Sequence, residues 1–364
     1  MRRTEIVGVQ YLRGIAALAV VVDHASGTAA FSKYFGNAPA WAFTGQGARG
    51  VDLFFLISGF IITIVALQGP ELAPAMKLRD FFARRFARIV PLMWLAIVSY
   101  LLLQLVFRHG VPPLMPYVHA MLLLPGTILP PHIWTLRQEL VFYLVFALAM
   151  LTVRPARILL LLWLALPLVL IALGMLPHDR GMVQGGIAMI AAPNNLEFGA
   201  GMLLGIAWLK RWTRRDVAAP IDPLFLLAIG FVATVAAIAW AIGYVTGPGH
   251  VAFCSLLFVP LLLCAVHVRC PEGWPRRIGE TLGNASYAIY LFHPHAVSGS
   301  LGILARVTPW MPRAALVLIV VLVATAFGVA VHLLVEKPLV RYARILLGRA
   351  PEPSMLASGA ETIA

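Results

Sequence analysis

Charge and cysteine are what this sequence has least of. Only 12% of its 364 residues are charged, against 61% hydrophobic, and its mean hydropathy is +0.88. No soluble domain needs that much apolar residue. Apolar stretches of about 20 residues recur along the whole length, the mark of a polytopic helical membrane protein. The three cysteines, Cys254, Cys264 and Cys270, show no CxxC or Cys/His spacing. They read as small buried hydrophobes, with no disulfide framework and no metal site. Internal repeats are also missing, and with them the inverted halves of many transporters. Acidic residues are scarce: 15 Asp+Glu against 28 Lys+Arg leave a net charge of +13. In a soluble chain that excess would point to nucleic acid. Here the basic residues sit in short loops between apolar runs, where the topology rule and anionic headgroups account for them, so no nucleic-acid partner is expected.

The apolar pattern predicts an all-α membrane bundle of about ten transmembrane helices, over 11–27, 50–69, 89–107, 134–153, 156–176, 196–209, 223–245, 250–268, 282–303 and 314–335. The stretch "AAPNNLEFGAG" before the sixth reads as a broken or re-entrant entry. Residues 117–131, "YVHAMLLLPGTILPP", are apolar but short and Pro-ended, and read as a second re-entrant piece. Lysine and arginine sort into alternate loops. One set holds Arg2 and Arg3, the 77–88 cluster, Arg154 and Arg157, the 210–215 cluster, Arg269 to Arg277, and Lys337 to Arg349. The other holds only Lys33, Arg49, Arg108, Arg180, Arg306 and Arg313. With ten spans this asymmetry puts both termini in the cytoplasm. The N-terminus imitates a signal peptide, but Arg13, Asp23 and His24 interrupt its apolar core, so it reads as a retained first helix. Residues 1–345 form one integral membrane domain in this reading. The Pro/Ala/Ser-rich 346–364 read as a disordered cytoplasmic tail.

A bilayer penalises polar side chains, so those inside the spans are the candidate functional residues. Arg13 and His24 are 11 residues apart in the first helix, almost three turns, which puts them on one face about 16 Å apart. Asp23 is turned about 100° from His24. Snorkelling accounts for Arg13 and helix packing for His24 if neither is functional. In "FFARRFARIVPLMW", Arg84, Arg85 and Arg88 make one basic stripe. It serves either orientation and lipid headgroups, or a phosphate site, since guanidinium groups grip phosphates bidentately. In "WTLRQELVFY" (134–143), Glu139 is a carboxylate within an apolar helix. It is suited to proton handling, or else to a salt bridge with Arg137. "GVDLFFLISGF" adds Asp52, a histidine partner or an N-terminal helix acid. "LGNASYAIYLFHPHA" crowds Asn284, Ser286, Tyr287, Tyr290, His293 and His295 into one span, partly as helix–helix glue. Pro294 after His293 marks a point where backbone is freed toward a cavity. "HLLVEKPL" ends the last span on Glu336, read as a structural ion pair with a basic loop.

Taken in this order, these clusters resemble the acyltransferase 3 family of integral membrane acyltransferases. Arg13 and His24 match its arginine, ten residues, histidine pattern. "GVDLFFLISGF" resembles its second-helix motif and Arg85-Phe-Ala-Arg88 its RxxR. "WTLRQELVFY" resembles its W-[ST]-L-x-x-E-x-x-F-Y, "LGNASYAIYLFHP" its L-G-x-x-S-Y-x-x-Y-L-x-H, and "VEKP" its closing E-[KR]-P. The likeness runs from about Val9 to Arg344, and the opening segment is most similar to the exopolysaccharide-production branch. One departure is Leu140, where many members carry a second acid after the one at Glu139.

The resemblance implies transfer of an acyl group, commonly acetyl, from cytoplasmic acyl-CoA to a hydroxyl of an envelope glycan or its lipid-linked precursor, at the bacterial inner membrane. Acyl-CoA is then a substrate, with no permanently bound cofactor and with membrane lipids as the other partners. Arg85 and Arg88, with Arg84 and Arg13, would hold CoA phosphates. His24 would act as general base or transient acyl carrier, and Glu139 or Asp52 would orient its imidazole or bind the sugar. Trp134, Tyr143, Asn284, Ser286, Tyr287 and His293 would line the acceptor pocket or support it. Two other readings use the same buried polar groups: an exporter of a glycan or small molecule, and a membrane partner that keeps the fold without activity.

Overall fold

A computed structural model describes residues 6–37, 47, 49–107, 112–151, 153–175, 181–211, 249–267 and 272–347. Twelve α-helices run through them: α1 Val7–Ala29, α2 Arg49–Ala66, α3 Leu78–Phe107, α4 Met115–Leu122, α5 Trp134–Met150, α6 Arg154–Ala172, α7 Gly181–Ile190, α8 Asn195–Arg211, α9 Gly249–His267, α10 Trp274–Val307, α11 Arg313–Val331 and α12 Lys337–Leu346. The only strands among the described residues are the two-residue β1 Leu67–Gln68 and β2 Ala73–Pro74, antiparallel after α2 with Leu67 opposite Pro74. Nine of the ten apolar segments coincide with α1, α2, α3, α5, α6, α8, α9, α10 and α11. The tenth, 223–245, and the tail from 348 onward lie outside the described residues.

Among the described residues, six helical stretches are long and apolar enough to cross a membrane: Val7–Ala29, Arg49–Ala66, Leu78–Phe107, Pro131–Met150, Pro155–Ala172 and Arg313–Leu346. Their outward faces stay apolar, with Leu102, Val106, Leu162, Leu168, Leu318 and Leu322 exposed. Such patches are untenable in water and ordinary against lipid tails. Helix limits exceed the apolar limits where polar turns continue a span. α3 begins at Leu78 instead of 89, and α10 at Trp274 instead of 282, its first turns carrying an Arg276–Glu280 pair at 2.8 Å.

Two interruptions inside the apolar region have their loose backbone groups satisfied by side chains, those of α5 foremost. The chain breaks between α7 and α8. There Gln138 donates to the carbonyl of Met189 (2.9 Å) and to Asn195 (2.6 Å), while Asn195 and Trp163 both donate to Ile190 (2.8 Å each). These are the end carbonyls that a stopped helix leaves unpaired. After the eight-residue α4, far too short to cross, Arg137 donates to the carbonyls of Leu124 (3.2 Å) and Gly126 (3.0 Å). Arg137 is 7% exposed and serves this backbone, where the sequence had offered it as a salt-bridge partner of Glu139.

Helices approach closely where glycine allows it. A Cβ at Gly283 of α10 would meet the backbone of Gln10 in α1. One at Gly59 of α2 would meet the carbonyl of Phe198 in α8. Small residues at such crossings let packing and dispersion replace the hydrophobic drive that lipid removes. Around the α2–α8 seam, Phe142 of α5 stacks on Phe198 with centroids 3.9 Å apart. We expect Gly59→Leu to lower the apparent Tm in detergent, since overpacking of this kind costs about 1–3 kcal/mol. Gly299→Ala, whose Cβ meets nothing within 4 Å, should leave it unchanged or raise it slightly. Equal melting of the two variants would contradict this packing.

Candidate active site

A cavity of about 940 Å³, part of it open to the outside, lies between α1, α2, α3, α5 and α10. Its polar lining comes from Arg13 of α1, Ser58 of α2, Arg85 and Arg88 of α3, Thr135, Glu139 and Tyr143 of α5, and Ser286, Tyr287 and Tyr290 of α10. Its apolar walls include Phe54, Phe55, Ile57 and Ile61 on α2 and Ile89 on α3. Helical spacing explains the choice. Glu139 and Tyr143 are four residues apart on α5, as Ser286 and Tyr290 are on α10, and each pair presents one face.

One end of this space is basic. The Arg85 guanidinium lies over the rings of Phe81 (5.7 Å) and Tyr143 (5.8 Å), and its Nε has no hydrogen-bond partner although buried. Arg88 stands 3.7 Å from Glu336, which is 1% exposed and accepts a 2.7 Å hydrogen bond from His332. His332 to Glu336 form a π-helical turn joining α11 to α12, just before Pro338. A wider turn there avoids the clash a proline makes with the preceding turn, and π turns recur at functional sites. Arg13 accompanies them, donating to Gln10 at 3.3 Å. Arg84 is not among the lining residues.

Midway, Glu139 accepts hydrogen bonds from Ser58 (2.9 Å) and from Tyr143. Ser286 donates to the carbonyl of Gly283 (2.7 Å), and Tyr287 ties α10 to α3 through the carbonyl of Ile89 (2.8 Å). The far wall is Tyr290 with Thr135. The Tyr290 hydroxyl lies 2.9 Å from Thr135 Oγ1 and donates to the carbonyl of His132 at 2.9 Å. Behind that wall stand three histidines. His24 Nδ1 lies 2.5 Å from His293 Nε2, and the His293 ring lies 5.9 Å from that of Tyr290 and 5.5 Å from that of His132. The first helix thus places Arg13 in the cavity and His24 beyond its end, as their shared face requires.

Two candidate orienting groups serve elsewhere. Glu139 is hydrogen-bonded by Ser58 and Tyr143, and the ring that meets His24 is His293. Asp52 lies 3.7 Å from Arg49 and accepts from Asn194 at 3.3 Å, in a second buried cluster outside the cavity lining. Asp23 accepts from the backbone of Gly47 (3.3 Å). Trp134 packs edge-on against Phe55 (6.0 Å) outside the cavity lining, and Asn284 is half-buried and also outside it.

Sequence reasoning missed His132 and Glu197. His132 sits in the 3-10 turn Pro131–Ile133, within a Pro-rich stretch read only as a re-entrant end. Glu197 is wholly buried beside Asn194, which bridges it to Asp52 (3.4 and 3.3 Å). An acid with two amides inside an apolar entry, "PNNLEF", was the available signal for it.

Residues 6–332 match the model of the acyltransferase 3 family, described as an acyltransferase domain. Over 326 residues the chain is 32% identical to the exopolysaccharide production protein ExoZ of Rhizobium meliloti (strain 1021), spanning 84% of this chain and 95% of that protein. It is 27% identical over 393 residues to the acyltransferase MdmB of Streptomyces mycarofaciens, spanning 94% of each. A shorter match, 31% identical over 106 residues, joins 29% of this chain to 15% of the peptidoglycan O-acetyltransferase OatA of Listeria monocytogenes. No solved structure matches.

The carboxylate at the basic end should matter for stability. Glu336→Ala removes the partner of buried His332 and of Arg88. Breaking such a contact is expected to cost about 2 kcal/mol, toward the low end for buried pairs because Arg88 is 36% exposed. Glu336→Gln should recover part of that in a detergent melt. Melting unchanged in both variants would contradict the assigned contacts.

Proposed function

From the acyltransferase 3 family, to which this chain belongs, we infer that the protein is a multi-pass membrane O-acyltransferase moving an acyl group, acetyl foremost, from acyl-CoA to a sugar hydroxyl. The observation that carries this is the cavity lined by Arg13, Arg85, Arg88 and Glu139, whose Tyr290 wall neighbours the His293 ring that meets His24. CoA presents phosphates at one extremity and a thioester at the other, joined by a long, flexible arm. Guanidinium groups suit the phosphates, and the unpartnered Nε of Arg85 is an open donor for one. The apolar walls suit the arm.

In the proposed arrangement this basic end faces the cytoplasm of a bacterial inner membrane, with ten spans and both termini inside, an orientation that the excess of Lys and Arg in alternate loops supports. Donor then enters from the cytoplasm and CoA leaves the same way. The acceptor class follows from the relatives, whose names speak of exopolysaccharide production and of peptidoglycan O-acetylation. An envelope glycan, or its lipid-linked precursor, is the proposed acceptor.

In the reaction, His24 Nε2 takes the proton of the acceptor hydroxyl as its oxygen attacks the thioester carbonyl carbon. The new C–O bond forms, the C–S bond breaks, and the CoA thiolate leaves with the proton returned from His24. The thioester reaches His24 past the ring of Tyr290, which therefore swings aside. Glu139, held by Ser58 and Tyr143, binds hydroxyl groups within the cavity.

The test is CoA release from acetyl-CoA by purified protein in liposomes, with a lipid-linked glycan fraction as acceptor. His24→Ala should lose on the order of 10²–10⁴-fold in kcat while still binding donor. Arg85→Ala and Arg88→Ala should each raise the donor KM about 10–100-fold, the equivalent of one charged hydrogen bond. Folded wild-type protein that neither binds nor consumes acetyl-CoA would overturn the reading and favour an exporter.

A further inference from the structure

Pro294 has no backbone N–H, so the carbonyl four residues earlier, that of Tyr290, loses its normal helical partner. α10 nevertheless runs unbroken through this point. The freed carbonyl is met by a side chain instead: His293 Nδ1 lies 2.6 Å from Tyr290 O. A carbonyl oxygen only accepts, so His293 Nδ1 carries the hydrogen. In a neutral imidazole the other nitrogen is then a bare acceptor, and His293 Nε2 faces His24 Nδ1 at 2.5 Å. His24 Nδ1 must therefore be the donor, which leaves the lone pair on His24 Nε2.

The ring geometry agrees. The two planes are 21° apart with centroids separated by 4.8 Å. An in-plane N–H···N bond between two imidazoles accounts for both values, because the acceptor lone pair lies in the ring plane. The burial differs in the direction required. His293 is wholly buried with both nitrogens committed, whereas His24 is only part-buried and its Nε2 is not among the enclosed polar atoms.

We propose that His293 is a positioning residue that fixes His24 in the Nδ1–H tautomer, through a relay that begins at the carbonyl released by Pro294. The proposal rests on the reading of His24 as the base. It assigns to a second histidine the part a buried carboxylate plays beside other catalytic histidines. The physical requirement is the same: a base must present its lone pair to the substrate, and the wrong tautomer presents a hydrogen. Mispresentation costs up to about 10⁴-fold in kcat where it has been isolated. A histidine partner differs from a carboxylate in adding no negative charge at the wholly buried position of His293, where an unpaired charge is costly. The same relay accounts for the order Tyr290, His293, Pro294 within one helical turn. The tyrosine gives the carbonyl, the proline frees it, and the histidine between them passes the constraint across to α1.

Two measurements test this, one of which needs no activity. In protein labelled with ¹⁵N-histidine, two-bond ¹H–¹⁵N correlations report which nitrogen of each ring is protonated, with His24 and His293 assigned by loss of signals in His24→Ala and His293→Phe. Wild type is expected to show Nδ1–H on both rings, and His293→Phe a mixture of tautomers at His24. In the acetyl-CoA assay, His293→Phe should lose on the order of 10²-fold in kcat with donor KM unchanged. His293→Gln, whose amide oxygen can still accept from His24, should recover at least tenfold of that loss. Protonation at Nε2 of His24 in wild type, or full turnover in His293→Phe, overturns the proposal. If wild-type protein shows no acyl transfer at all, the functional reading fails, and the tautomer of His24 still decides this one.

Discussion

The site depends on how closely α1 and α10 cross. α1 carries both the arginine that enters the cavity and the histidine beyond it, and α10 supplies the tyrosines and the histidine opposite them. With Gly283 against Gln10, the two backbones come near enough for a bond between His24 and His293 to span the gap. A side chain at 283 would push the helices apart, and every contact between their polar faces would lengthen. In lipid no hydrophobic force draws helices together, so close packing between small residues has to do so.

The same economy of polar groups recurs across the bundle. α5 holds its lower face for the cavity through Glu139 and Tyr143, and spends Arg137 and Gln138 on the carbonyls left open by the breaks after α4 and α7. Broken helices are tolerated at membrane depth only with such partners. The breaks in turn leave Asn194 and Glu197 inside, facing Asp52. Neighbouring residues of one helix therefore make different contacts: 137 and 138 bond to backbone, while 139 and 143 line the cavity.

Much of this was legible in the sequence. Spacing alone put Arg13 and His24 on one face of the first helix, and the apolar segments located nine helices. The stripe of Arg84, Arg85 and Arg88 was visible, though not that Arg85 and Arg88 line the cavity without Arg84. That division depends on how α3 is rotated against α5 and α10, which period cannot give. The partner of His24 was harder still, because 269 residues separate it from His293. Sequence proposed a carboxylate, the commonest partner of a working imidazole, and the fold supplies a second imidazole. His132 escaped because its turn looked like a helix stop, and Glu197 because its polar neighbours read as loop. In each case the missing information was a long-range pairing, whereas what sequence displayed was local periodicity and the cost of polarity in lipid.

The central claim is that one path runs from the arginines at the basic end to the His24 ring, with donor phosphates at one end and the thioester at the other. A cryo-EM reconstruction with a non-hydrolysable acyl-CoA analogue tests it most directly. The account places phosphate density against Arg85 and Arg88, Tyr290 displaced from the far wall, and the acyl carbonyl within about 3.5 Å of the reacting groups beside His24 Nε2. Analogue density at any other face of the bundle, with Arg85 and Arg88 free of phosphate and the Tyr290 wall closed, would contradict it.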